Sequence, residues 1–167
     1  MKKIYIILFI ALMVIDSCQP KTKTASVNID AEKVAISALF DKFSSTLITK
    51  DLNSATALMT EDALSCGTDP SEFWSKKEIT DLWAQMLIDT SLNINYKIDR
   101  REIRVAIDGK SALVVEQYFF PSLSLKIPIR SIYHAVKIND KWMIDFISWN
   151  FIPKNEDVPK LNKAVEL

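Results

Sequence analysis

The side chains best suited to chemistry are His134, the only histidine of the chain, and the carboxylate Asp145. Asn139-Asp140 is typical of a tight hairpin turn, and counting outward from it pairs His134 with Asp145 across two strands. A neighbouring carboxylate fixes the tautomer of an imidazole and stabilises its protonated form, as a general base requires. His134 and Asp145 are therefore candidates for a catalytic dyad, with a purely structural pair as the alternative.

A second group of candidates lies on the preceding hairpin. Asp108-Gly109 predicts a two-residue turn, which pairs Arg101 with Glu116 and Asp99 with Tyr118. The apolar residues of the same strands make one face the buried one: Ile103, Val105, Ile107, Ala112 and Val114. Polar groups at the end of an apolar concavity are typical of a ligand pocket, so Arg101, Glu116 and Tyr118 are candidate pocket residues. The alternative is an exposed ion pair at the margin of the sheet.

The last hairpin carries large apolar side chains on both of its faces. Tyr133 and Phe146 lie on one face, together with Trp142, whereas His134 and Asp145 lie on the other. Either face could be concave, and we take Tyr133 and Phe146 as candidate pocket residues. In a sheet with one face in water, apolar and polar residues alternate along each strand. Because both faces of this hairpin are apolar, the second face must also be covered, which predicts a homodimer formed through the sheet.

Composition excludes several classes of function. Lys plus Arg and Asp plus Glu each number 21, so the chain has no basic surplus for binding nucleic acid. One histidine and two cysteines are too few for a structural zinc site or a disulfide framework. Two glycines exclude a glycine-rich phosphate loop. We therefore predict neither a metal nor a cofactor.

The N-terminus predicts export and a lipid anchor. Lys2 and Lys3 precede an apolar run, Ile4 to Ile15, that is short for a permanent membrane span and typical of a signal peptide. The segment Ile15-Asp16-Ser17-Cys18 resembles a bacterial lipobox, which implies removal of residues 1–17 and lipidation of Cys18. Residues 18–29 form a polar tether. With Gln19 after the cysteine, the expected location is the outer membrane, facing the periplasm.

Residues 30–152 form one domain in which helices come first and strands follow. Helical spacing predicts a helix capped by Asp30, a shorter one from about Leu52 to Met59, and a third that starts at the capping box Ser75-Lys76-Lys77-Glu78. On the third helix, Trp83 belongs to the buried stripe and is a further candidate pocket residue.

Strands with an alternating pattern follow the helices. They run from Leu92 to Ile107, Ser111 to Phe120, Lys126 to Ile138 and Lys141 to Phe151, before a polar tail over residues 153–167 that ends in a helical turn. The fold class is α+β, with three N-terminal helices packed on a curved antiparallel sheet.

Several loose motifs in this order of elements resemble one known family. They are Asp51 near the second helix, the loop Gly67-Thr68-Asp69-Pro70, the helix start Trp74-Ser-Lys-Lys-Glu, and the turn Asn139-Asp140 followed by Lys141-Trp142. Over residues 31–152 the chain resembles the SnoaL-like group of the nuclear transport factor 2-like superfamily. The resemblance implies a cone-shaped sheet closed into a pocket by the first and third helices. It also implies that Trp142 faces inward, which would leave His134 and Asp145 outside, in a sheet-to-sheet dimer contact.

These observations predict a periplasmic lipoprotein that binds a small hydrophobic molecule or a partner protein without catalysis. The alternative is an isomerase, cyclase or dehydratase in which Asp145 or Glu116 acts as base and Tyr118 or His134 polarises the substrate. A third interpretation is a structural role with the cavity filled by side chains of the protein itself. A cavity between the third helix and the sheet would separate these interpretations.

Overall fold

A computed structural model describes residues 27–89, 92 and 94–165. Cys18, the predicted signal peptide and most of the predicted tether lie outside this range. The elements in chain order are α1 (Ile29–Ile48), α2 (Leu52–Thr56), β1 (Met59–Cys66), β2 (Phe73–Ser75), α3 (Lys76–Ile88), β3 (Ile98–Val105), β4 (Ser111–Tyr118), β5 (Ile129–Ile138), β6 (Lys141–Phe151), a 3-10 helix (Asn155–Asp157) and α4 (Val158–Val165). No helix among the described residues is long and apolar enough to cross a membrane.

Helix α1 lies across the sheet and is attached to it at its start by polar contacts. Its cap is Asn28 rather than Asp30: Asn28 Oδ1 accepts a hydrogen bond from the Ala31 N–H at 3.1 Å. Glu32 accepts hydrogen bonds from Lys137 Nζ at 2.7 Å and from Trp142 Nε1 at 2.8 Å. These hydrogen bonds lower the pKa of the Glu32 carboxyl and connect α1 to the last hairpin.

Helix α3 begins where the capping box predicts. The Ser75 hydroxyl oxygen accepts from the Glu78 N–H at 3.4 Å, and a Glu78 carboxylate oxygen accepts from the Ser75 N–H at 2.8 Å. Ile79 and Trp83 on this helix are buried, and the helix packs against β1. The local start signal is strong because it satisfies two otherwise unpaired backbone donors.

The sheet has six strands in the order β2-β1-β6-β5-β4-β3 within the described part of the chain. It is mixed rather than wholly antiparallel, because β1 runs parallel to β6 and β2 pairs antiparallel with β1. The sequence prediction missed both strands and extended the second helix over Met59, where β1 begins. The only large apolar side chains of β1 are Met59 and Leu64, and a register shift separates them, so the strand gives no clear alternating pattern.

The pairing predicted for β3 and β4 is confirmed from the turn as far as one bulge. Arg101 lies opposite Glu116. Beyond it a register shift places Ile98, not Asp99, opposite Tyr118. The prediction was wrong for Ile107, which is 94% exposed because the Gly109 N–H bonds to the Ala106 carbonyl and places Ile107 inside the turn.

The last hairpin pairs as predicted near its turn and then shifts register. Val136 lies opposite Met143, but a bulge at His134 and Ala135 then places His134 opposite Phe146. Asp145 is the extra residue of the bulge. Beyond it Arg130 faces Asn150, whereas counting outward from the Asn139-Asp140 turn pairs Arg130 with Trp149, so the pairing from the turn count is wrong there.

The concave face is the one that carries Tyr133 and Trp142. Both residues are buried and contact α1, and they belong to the main core with Phe40, Phe43 and Ile144. The sheet is curved, with the helices packed on this face, and the fold class is α+β as predicted.

Candidate functional site

A cavity of about 280 Å³ lies between α3, the end of α1 and the concave face of the sheet. Its wall is almost entirely aromatic and aliphatic. The aromatic members are Phe43, Trp74, Trp83, Tyr96, Tyr118, Phe120, Tyr133 and Trp149. A concave, mostly apolar space with a few polar groups is the usual form of a small-molecule site.

Three of the predicted pocket residues line this cavity, and three do not. Trp83, Tyr118 and Tyr133 are in the wall. Arg101 and Glu116 are absent from it, although Glu116 accepts a hydrogen bond from the hydroxyl of the wall residue Tyr133. Phe146 is also absent, because the bulge at Asp145 places it opposite His134 on the outer face.

Arg101 and Glu116 form a buried ion pair behind the cavity wall. Arg101 Nε lies 2.6 Å from Glu116 Oε1, and the two side chains are only 14% and 1% exposed. Arg101 Nη1 also contacts Asp41 Oδ1 at 2.7 Å and the Ser37 hydroxyl at 2.9 Å. The alternative considered from the sequence, an exposed ion pair at the margin of the sheet, is therefore wrong, because the pair is buried.

Burial raises the pKa of the Glu116 carboxyl, and the positive charge of Arg101 opposes this shift without cancelling it. The Tyr133 hydroxyl donates to Glu116 Oε2 at 3.3 Å. Burial raises the pKa of Tyr133 well above its ordinary value, so its phenol stays protonated at neutral pH. The arrangement connects a cavity hydroxyl to a largely buried charge pair.

The hydroxyl of Tyr118 forms a second polar contact in the floor of the cavity. It lies 2.8 Å from the Ser131 hydroxyl, and both side chains are buried. The ring of Tyr118 stacks on Tyr96 with ring centroids 4.5 Å apart. Burial raises the pKa of Tyr118 as well.

Sequence reasoning missed several aromatic residues of the wall, and Tyr96 and Trp149 illustrate two different reasons. Tyr96 belongs to residues 94–97, which have no regular secondary structure although their alternation predicted a strand. Trp149 lies beyond the register shift at Asp145, which counting from the turn does not predict; it faces the cavity and packs edge-on against Trp83, with centroids 6.2 Å apart. The alternation of Ile94 and Tyr96 was the one signal that pointed to buried side chains there.

The mouth of the cavity is formed by the loop from Gly67 to Trp74. The Gly67 N–H donates to the Glu72 carbonyl at 3.0 Å, and Glu72 Oε2 accepts from the Asp69 N–H at 2.9 Å. A Cβ on Gly67 would lie 2.0 Å from Glu72 Oε2 and 2.7 Å from the Trp74 ring. Because Gly67 has no side chain, the Glu72 carboxylate and the Trp74 indole can both lie against its backbone at the mouth of the cavity.

His134 and Asp145 lie on the outer face of the sheet. His134 Nδ1 is 2.8 Å and 2.9 Å from the two oxygens of Asp145, so the predicted contact exists. Neither residue lines the cavity. Within the described residues no three histidine, cysteine or acidic side chains converge as metal ligands.

The family model of the SnoaL-like domain matches residues 36–146. The chain belongs to this family. The match begins within α1, includes the cavity mouth and ends in β6 just after the bulge. No curated protein matches the chain.

Solved structures similar to this SnoaL-like chain share its fold at low sequence identity. A nuclear transport factor 2-like protein of unknown function from Pseudomonas putida has a TM-score of 0.63 and 14% identity, covering 77% of this chain and 92% of its own. A domain of unknown function with a cystatin-like fold from Nostoc punctiforme has a TM-score of 0.63 and 19% identity, covering 82% of this chain and 87% of its own. A putative calcium/calmodulin-dependent protein kinase II association domain from Xanthomonas campestris has a TM-score of 0.60 and 20% identity over 82% and 99%.

Proposed function

We propose that this SnoaL-like domain binds a small, mostly apolar molecule in its cavity without transforming it. The observation that carries the proposal is the cavity of about 280 Å³ with eight aromatic rings in its wall. Such a surface gains free energy when a ligand replaces water, at about 25 cal/mol per Å² of apolar area buried. A core filled by the protein's own side chains would leave no such space.

A non-catalytic role is favoured because the acid–base candidates are not placed to act. His134 and Asp145 lie outside the cavity, and the Glu116 carboxylate is held by Arg101 behind Tyr133. A general base must come within hydrogen-bond reach of the proton that it removes. Neither predicted carboxylate meets this condition for a ligand in the cavity.

The proposal is tested by isothermal titration calorimetry of the full chain with naphthalen-2-ylmethanol, a neutral probe with an apolar body. We expect saturable binding with a stoichiometry of one probe per chain and a negative heat-capacity change, the mark of apolar burial. Heats indistinguishable from dilution for this and for aliphatic alcohols of similar size would overturn the proposal.

An enzyme of the isomerase, cyclase or dehydratase type is the second candidate, and one contact favours it. The Tyr133 hydroxyl is in the cavity wall and donates to Glu116 Oε2 at 3.3 Å, so Tyr133 rather than Glu116 would contact a substrate. Such an enzyme would exchange a carbon-bound hydrogen of its substrate with solvent deuterium. Exchange that is present in the wild type and lost in Tyr133→Phe would favour this candidate over simple binding.

We also propose that the domain is anchored to the outer membrane, facing the periplasm, through lipid on Cys18. The lipobox-like segment Ile15 to Cys18 and the polar tether after it support this placement. Two or more acyl chains give stable membrane attachment, because each buried CH₂ contributes about 0.8 kcal/mol.

In a Gram-negative host, Cys18→Ser is expected to abolish incorporation of labelled palmitate into the chain. Cys66→Ser is the matched control, because Cys66 is the other cysteine and lies on β1 in the folded domain. The control should incorporate palmitate at the wild-type level. Equal labelling of the two variants, or an unlabelled wild type, would contradict the anchor.

The outer face of the sheet supports a homodimer formed through it. Leu113 on β4 is 42% exposed and lies opposite His134, next to half-buried Val115 and Ile132. Leu113→Lys is expected to shift the protein from dimer to monomer in sedimentation velocity, because the new charge would be desolvated in the contact. Ile107→Lys, at an exposed turn, should leave the dimer intact. An unchanged sedimentation coefficient for Leu113→Lys would contradict this interface.

A further inference from the structure

The charge of the cavity wall restricts the chemistry of its ligand. Among the described side chains that line the cavity, Glu72 is the only carboxylate, and none is a lysine, arginine or histidine. An anionic ligand would therefore lose its hydration and meet no compensating charge. Fatty acids and other carboxylates are poor matches for this wall.

Glu72 is placed to interact with a ligand rather than with the protein's own cations. Its Oε2 accepts only the Asp69 backbone N–H among the hydrogen bonds of the described residues, and no described lysine or arginine pairs with it. The other carboxylate near the cavity, Glu116, is already neutralised by Arg101 at 2.6 Å. The uncompensated negative charge of the site is thus concentrated at the mouth.

The aromatic rings that line the cavity beyond Glu72 can also attract a positive charge. Trp74 meets Glu72 over Gly67, and Trp83 and Tyr96 line the space beyond. The faces of indole and phenol rings attract cations by about 0.5–2 kcal/mol. A carboxylate in a wall rich in aromatic rings is a combination that stabilises an ammonium group and not a carboxylate.

We infer that the cavity selects an amine-bearing apolar molecule, with Glu72 receiving its ammonium group at the mouth and the aromatic wall enclosing its apolar body. This inference rests on the proposed ligand-binding function and names the chemical class of the ligand. The ammonium donates a charge-assisted hydrogen bond to the Glu72 carboxylate, and no covalent step is involved.

The test compares three probes that share a naphthalene body and differ in head group: naphthalen-2-ylmethanamine, naphthalen-2-ylmethanol and naphthalene-2-carboxylate. Each is titrated calorimetrically into the full chain at pH 7. We expect the amine to bind about tenfold more tightly than the alcohol, equivalent to about 1.4 kcal/mol. The carboxylate should bind at least about tenfold more weakly than the alcohol.

Glu72→Gln is expected to remove the advantage of the amine and to leave the affinity for the alcohol unchanged. The glutamine oxygen can still accept the Asp69 N–H, so the loop is retained. Glu61→Gln is the matched control, because it removes the same charge from an exposed position on β1 that does not line the cavity. It should keep the wild-type preference.

The outcomes separate this inference from the ligand-binding proposal. Equal affinity of the wild type for amine and alcohol, or tighter binding of the carboxylate, would overturn the inference and leave ligand binding intact. Absence of binding for all three probes would overturn both. The comparison on the wild type decides the question even if Glu72→Gln fails to fold.

Discussion

Arg101→Met is expected to lower the free energy of unfolding by about 3–5 kcal/mol, the largest effect of any single substitution considered for this domain. Glu116 is 1% exposed, and Arg101 is its only cationic partner among the described residues. Removing the guanidinium leaves a carboxylate in the core with no compensating charge. Urea unfolding followed by circular dichroism measures the change.

Two matched variants separate the loss of the pair from the loss of a side chain. Arg100→Met, on the same strand, removes an exposed arginine whose partner Glu102 is also exposed, and should cost less than about 1 kcal/mol. The double variant Arg101→Met with Glu116→Leu should recover more than half of the loss, because no isolated charge remains. Equal destabilisation by Arg101→Met and Arg100→Met would contradict the buried pair.

The effect of Arg101→Met should also depend on pH in a defined direction. Burial already raises the pKa of Glu116 above its ordinary value of 4.5, and removing Arg101 removes the main opposing influence. Because the pKa of Glu116 is higher in the folded state than in the unfolded state, ionisation of Glu116 lowers the free energy of unfolding as the pH rises above 4.5. The loss in the variant should therefore be small near pH 4.5 and largest at neutral pH. A constant loss over this range would contradict the assignment.

Leu82→Trp is expected to weaken binding of naphthalen-2-ylmethanol by about 30-fold. Leu82 lies on α3 and lines the cavity, so the larger indole occupies space that the ligand needs. Forcing a ligand into a filled site costs about 2 kcal/mol, which corresponds to about 30-fold in affinity. Because the new ring enters an existing space, the free energy of unfolding should change by less than about 1 kcal/mol.

Gln85→Trp is the matched control for this substitution. Gln85 is on the same helix and is exposed, so the variant adds the same ring outside the cavity. Its affinity should remain within about threefold of the wild type. If both variants bind the probe as the wild type does, the binding site is not between α3 and the sheet.

The parts of the fold that the sequence predicted are those with strong local signals. The capping box at Ser75 fixes the start of α3 because it satisfies backbone donors within one turn. The turn at Asp108-Gly109 positions the two strands so that Arg101 pairs with Glu116. Family resemblance and alternation together indicated that Trp142 and Tyr133 face inward, as they do.

The parts that were missed depend on contacts that are distant in sequence. The bulge at Asp145 exists because of how β5 and β6 pair, and it moves Phe146 to the outer face and Trp149 into the cavity. Strand β1 is held by its parallel pairing with β6, which its own residues do not indicate.

Mass spectrometry of the material extracted from the purified full chain tests the central claim most directly. Bound small molecules stabilise the folded state that holds them and persist through purification when the affinity is high. We expect an apolar amine to co-purify with the wild type at near one molecule per chain and to be missing from Leu82→Trp. Extracts that are identical for the wild type and Leu82→Trp would contradict the claim that the cavity holds a ligand.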